Sequence, residues 1–135
     1  MHVGKRIGVI DTQDALIGHP AYDLVSLIDD VRIQTSVKLK KEIYKYYLKK
    51  NPKIYKKNSN LFLKDFNIFS VQRSLKIIGI FSRLYIRDKK ANYLKLIPYT
   101  WKLLEMRMNS KIFDELKNIF RLNIPKNMRK KILFK

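Results

Sequence analysis

Asp11 closes the run Arg6-Ile7-Gly8-Val9-Ile10, and Asp14 follows three residues later. A short β-branched run of this kind suits a buried strand, so a rigid element would deliver the first carboxylate at its C-terminal end. Carboxylates are hard oxygen ligands, and magnesium is usually held by one or two of them together with phosphate oxygens and water. The plainer readings are a turn-capping role for Asp11 and a loop hydrogen bond for Asp14. His19 precedes Pro20 in the same loop. A lone histidine there can carry a proton or simply support the loop, and the second reading is preferred. The chain has no cysteine and 2 histidines, which excludes disulfides and thiolate metal sites and leaves too few histidines for a zinc cage.

The elements that must position these groups are mostly helical. Residues 12–20 contain Gly18 and Pro20 and read as a loop, with Pro20 placed for the first turn of a helix. A helix over about 21–33 follows: Leu24, Val25, Leu27, Ile28 and Val31 cover one arc, and Asp23, Ser26 and Asp30 form a polar stripe. Asp23 near its start complements the helix dipole and is expected to brace the structure. A second helix is expected over about 36–49, with Val37, Tyr44, Tyr47 and Leu48 inward and Asn51-Pro52 ending it. A solvated lysine-rich connection then covers 53–60. The longest helical pattern runs over about 60–85, with Phe62, Phe66, Phe69, Leu75, Ile78, Phe81 and Leu84 recurring and a break expected near 65–68. A polar turn at 87–90 precedes a helix over about 91–108, in which Pro98 implies a kink or a new start. Ser110 can cap a last helix bearing Ile112, Phe113, Leu116 and Ile119. Trp101 and the tyrosines fall at helical spacing and read as core and rim.

The predicted fold class is therefore mainly α, one short N-terminal strand followed by about five helices, with a partial domain over 1–124 and a basic tail over 125–135. One strand makes no sheet, and its expected partner lies before Met1. At 135 residues and 46% hydrophobic content the chain can bury a core. No apolar stretch approaches membrane-spanning length and Met1–Arg6 has no signal-peptide core, so a cytoplasmic location and no membrane partner are expected. The formal charge is +19. Five aspartates against Lys5, Arg6 and Arg32 give residues 1–33 about −2, leaving about +21 for the rest. Lysine dominates over arginine, alongside abundant Ile, Asn and Tyr, a pattern that A/T-rich codons produce without an anionic partner. Readers of nucleic acid lean on the bidentate arginine fork, which argues against nucleic acid here.

Two blocks go further. Ile7-Gly8-Val9-Ile10-Asp11-Thr12-Gln13-Asp14-Ala15 with Gly18-His19-Pro20-Ala21-Tyr22-Asp23-Leu24-Val25-Ser26-Leu27 resembles the aminoglycoside phosphotransferase and choline kinase-like superfamily. In that superfamily the strand ends in the metal aspartate of an Asp-Phe-Gly-like motif, and Pro-x-Tyr-Asp-Leu opens the next helix. Gln72-Arg73-Ser74-Leu75-Lys76-Ile77-Ile78-Gly79-Ile80-Phe81-Ser82-Arg83-Leu84, then Arg87-Asp88 and Tyr93-Leu94, resembles the branch of bacterial cell-wall amino-sugar kinases that phosphorylate N-acetylmuramate and N-acetylglucosamine. The resemblance covers roughly 6–105. It implies the C-terminal lobe of a protein-kinase-like fold, ATP and magnesium as cofactors, a small sugar as acceptor and a place in peptidoglycan recycling. It also implies metal ligation by Asp11 and Asp14, support of the site by Asp23 and His19, and a sugar pocket that Gln72 and Arg73 could line, with pairing to an acid the equal alternative for Arg73.

Thr12 stands where that branch has an aromatic, so the packing role of that aromatic has no counterpart here. Phosphoryl transfer also needs a phosphate-covering loop, a lysine on the phosphates and a positioning aspartate for the acceptor. The resembling proteins carry these in an N-lobe and a His-x-Asp-type catalytic loop, and neither has a counterpart in this sequence. The chain is accordingly expected to be a C-terminal fragment, with no catalytic residue of its own, inactive without its N-lobe. The alternative is a non-catalytic basic helical module that binds a partner through the +21 segment.

Overall fold

The computed structural model describes residues 2–3, 6–7, 17–55 and 59–130, and the architecture is mainly helical. At the N-terminal end β1 (His2–Val3) pairs antiparallel with β2 (Arg6–Ile7), His2 opposite Ile7 and Val3 opposite Arg6. Arg6–Ile7 thus pairs with His2–Val3 within the chain, a separation of two residues being enough for antiparallel pairing. The expected strand through Ile10 is not seen as such: residues 8–10 lie outside the described residues.

Helix α1 spans Ala21–Ile28, shorter than the pattern predicts, with Pro20 at its N-cap and Asp29 as C-cap. Its termination has a physical cause. Asp29 is only 3% exposed, and four hydrogen bonds from three side chains elsewhere in the chain hold its carboxylate, so the backbone leaves the helix to aim that side chain inward. Val31 is buried as expected, but Leu27 is 65% exposed and faces solvent.

Helix α2 (Val37–Lys50) starts on Ser36, whose hydroxyl accepts the Leu39 N–H at 3.1 Å. Ile43, Tyr44, Tyr47 and Leu48 pack inward, whereas Val37, expected to, stays exposed at the first turn. Asn51 ends α2, and Pro52, unable to continue it, opens the single turn α3 (Pro52–Tyr55) within the stretch expected to be a loop.

The spine is α4 (Ser59–Asp88), 30 residues without the break expected at 65–68. Phe66 in that stretch is 1% exposed and locked between Tyr44 and Arg107, and one such side chain contributes about 2–3 kcal/mol by burial, enough to hold the helix through its polar neighbours. The helix stops where Lys89 turns left-handed, φ 55°, with its N–H on the Tyr85 carbonyl. A 3₁₀ turn (Ala91–Leu96) leads into α5 (Ile97–Arg107), so Pro98 marks a new start. Ser110 caps a short 3₁₀ turn, followed by α6 (Asp114–Asn123). There Phe113, Leu116 and Phe120 face the core, while Ile112 and Ile119 are exposed, contrary to the expected face. Residues Lys126–Lys130 of the basic tail form the short helix α7, whose Arg129 is buried over Trp101 and Phe120.

Three apolar clusters line α4. Its first half takes α1 through Ala21, Leu24, Val25, Ile28, Phe62 and Phe66. Its middle and α5 enclose Val71, Trp101, Leu104 and Met108, closed by Phe113 and Phe120. Val31, Phe81 and Leu103 form the third. Among the described residues no helix is long and apolar enough to cross a membrane.

Candidate functional site

The start of α1 and the first half of α4 build one polar and aromatic face. On α4, Asp65, Phe69 and Arg73 recur every four residues and therefore project along one stripe. Opposite them stand His19, just ahead of α1, and Tyr22 in its first turn. The His19 ring stacks on Phe69 at 5.1 Å and on Phe62 at 5.9 Å. Its Nδ1 accepts the Ala21 N–H at 3.2 Å, one of the amides that a helix start leaves without an intrahelical partner. Accepting there leaves the ring proton on Nε2, which lies 3.3 Å from Asp65 Oδ2. His19 thus ties the start of α1 to the spine through Ala21 and Asp65. Tyr22 meets Phe69 edge-on at 6.2 Å, and the Arg73 guanidinium lies over the Tyr22 ring at 6.0 Å.

Asp11 and Asp14 lie outside the described residues. Asp23 is exposed in the first turn of α1; its charge, after burial, helps raise the Tyr47 hydroxyl above the usual tyrosine range. Tyr47 donates to the Pro20 carbonyl at 3.4 Å, a second tie on the same loop. Gln72 is exposed beside Arg73 on α4, and Arg83 is exposed about three turns further along. The structure therefore brings His19 and Arg73 onto one face and leaves Asp23 and Gln72 at its edges.

A second polar centre lies inside the protein, and sequence reasoning did not single out its members. Asp29 Oδ1 accepts from Arg107 Nη2 at 3.0 Å and Lys40 Nζ at 3.2 Å; Oδ2 accepts from Ser70 Oγ at 2.7 Å and Arg107 Nε at 2.9 Å. Lys40 also donates to the Ile28 carbonyl at the end of α1. Burial alone would raise the Asp29 carboxyl, but the Arg107 fork, the Ser70 hydroxyl and the Lys40 charge outweigh it and hold the group below the ordinary aspartate value. Arg107 in turn lies 4.8 Å over the Phe66 ring. This centre joins α1, α2, α4 and α5 at a point where a buried lysine and a buried carboxylate satisfy each other.

Among the described residues no group of three or more His, Cys, Asp or Glu converges as a metal site.

No family model matches this chain, and no solved structure matches it. It is 32% identical over 125 residues to the N-acetylmuramate/N-acetylglucosamine kinase of Caulobacter vibrioides, covering 93% of this chain and 34% of that protein. It is 39% identical over 100 residues to the kinase of the same name from Neisseria meningitidis, covering 69% and 29%. The corresponding kinase of Pseudomonas aeruginosa is 33% identical over 105 residues, covering 73% and 30%. The chain spans about a third of the length of the curated relatives it matches.

Proposed function

We propose that this chain is the helical, C-terminal part of an ATP-dependent sugar kinase of the aminoglycoside phosphotransferase type, acting on a hydroxyl of N-acetylmuramate or N-acetylglucosamine. The observation that carries the reading is the similarity to a kinase of those two sugars across 93% of this chain. Asp11 and Asp14 would hold magnesium. When bound with nucleotide, that ion neutralises charge on the phosphates.

The chain's own residues then divide the remaining work. His19, through Asp65 and the Ala21 amide, and Tyr47, through the Pro20 carbonyl, fix the segment that leads from the metal aspartates into α1. Fixing it matters because phosphoryl transfer is mostly positioning and electrostatics. Gln72 and Arg73 line the acceptor-sugar pocket beside Tyr22. The group that orients the acceptor hydroxyl belongs to the part of the relatives that this chain does not span, so the chain alone transfers no phosphate.

Joining this chain to the remaining two-thirds of the Caulobacter vibrioides relative tests the reading. Sugar-dependent consumption of ATP by the chimera, and none by the chain alone, is the expected result. A folded chimera that leaves both sugars untouched would count against the proposal, and turnover by the chain alone would refute the division of labour.

A further inference from the structure

N-acetylmuramate and N-acetylglucosamine share a ring and an N-acetyl group. They differ at the C3 oxygen, where the first carries a lactyl ether ending in a carboxylate and the second a hydroxyl. A protein that takes both can favour the acidic sugar through a cation that the neutral one leaves alone. Arg73 has the properties required. It is half-buried on α4, over Tyr22, and forms no ion pair with any described residue. Its Nε is buried with no hydrogen-bond partner. The acid whose field it shares, Asp30, is already occupied: Oδ1 accepts the Arg32 amide at 2.8 Å and Arg32 Nε at 3.1 Å, and Oδ2 accepts Arg32 Nη2 at 2.9 Å. A guanidinium partly withdrawn from water, with no hydrogen-bonded anion among the described residues, is an unfavourable arrangement, and a ligand carboxylate beside it relieves it.

Other basic positions lack this combination. Arg107 and Lys40 are saturated by Asp29, Arg129 by Glu105 and the Ile124 carbonyl, and Arg32 is 75% exposed. The cleft of about 460 Å³ between α2 and α5 is also basic, but its buried Lys40 and partly buried Arg107 are already held by Asp29.

We infer that Arg73 is the specificity-determining residue that binds the lactyl carboxylate of N-acetylmuramate, through its guanidinium nitrogens, while the exposed Tyr22 ring supports the sugar. This rests on the amino-sugar kinase reading above. N-acetylglucosamine occupies the same face without that bond, and binds more weakly.

Calorimetric titration of the full chain with N-acetylmuramate, its lactyl methyl ester and N-acetylglucosamine tests it. The acid is expected to bind about tenfold more tightly than the ester or the neutral sugar, the gain of one charge-assisted fork. Arg73→Gln should lower affinity for the acid about tenfold and for N-acetylglucosamine less than about threefold, and Arg73→Lys, which keeps the charge but not the fork, should fall between. The ester comparison uses the unaltered chain and so needs no variant to fold. Equal binding of acid and ester, or a preference that survives Arg73→Gln, would overturn the assignment while leaving the kinase reading in place. Binding of neither sugar would also overturn the assignment, whereas the kinase reading falls only with the chimera.

Discussion

Asp29 and Arg73 are two charged groups, each next to α1, that ended in opposite states. The Asp29 carboxylate is buried and accepts hydrogen bonds from Arg107, Lys40 and Ser70 on three different helices. The Arg73 guanidinium is half-buried and forms no ion pair with a described residue. A saturated buried charge fixes a fold, because removing either side strands the other in a medium that cannot solvate it. An unsaturated one at a surface is free to be completed by something outside the chain. The same residue chemistry thus marks architecture in one place and a candidate ligand contact in the other.

The comparison can be broken most easily at Asp29. Asp29→Ala leaves Arg107 and Lys40 buried without their anion, and is expected to cost about 3–5 kcal/mol in chemical denaturation. Arg73→Gln, which removes no ion pair, should change stability by less than about 1 kcal/mol. Equal losses would erase the distinction between the two sites.

Acid probes the same contrast without substitution. The folded Asp29 carboxyl lies below its ordinary value of 3.8, so its stabilising contribution is fully present above that pH and is lost as the pH falls further, through the folded-state value. The difference in denaturation midpoint between wild type and Asp29→Asn should therefore be constant near neutrality and shrink below about pH 4. A difference that stays constant into stronger acid would show that the folded Asp29 carboxyl is not held below its ordinary value.

A smaller effect is expected at Ser36, the one strong side-chain cap of α2. Its hydroxyl accepts the Leu39 amide at the exposed end of that helix. Ser36→Ala should cost about 1 kcal/mol, measured by thermal unfolding, with no effect on either polar centre.

The sequence made the helices legible wherever an apolar period met a clear boundary. Ser36, Pro98 and Ser110 acted where their chemistry places them, and Phe62, Phe66 and Phe81 are buried as their spacing requires. What escaped was tertiary. Lys40 sits in a run with Lys38 and Lys41, and nothing in that run tells the buried lysine from its exposed neighbours. Nothing in the sequence around Asp29 or Arg107 marks either side chain as part of an interior centre. Only the meeting of α1, α2, α4 and α5 shows that these three side chains neutralise one another, and their meeting also ends α1 ahead of Ile33. The break expected near Phe66 failed for the same reason, since polar neighbours weigh less than one fully buried ring. At the candidate site, His19 and Arg73 were legible as residues. Asp65 and Tyr22, which give them their geometry, were not, because only the packing of α1 on α4 brings them together.

The most direct test of the account lies at Asp11. In the chimera with the Caulobacter vibrioides relative, Asp11→Asn keeps size and hydrogen bonding but removes the charge that magnesium requires. Sugar-dependent ATP consumption should fall by at least about a hundredfold, with an unchanged unfolding midpoint. Full turnover by the folded Asp11→Asn chimera would contradict the placement of the metal at this aspartate and, with it, the reading of the chain as part of a kinase site.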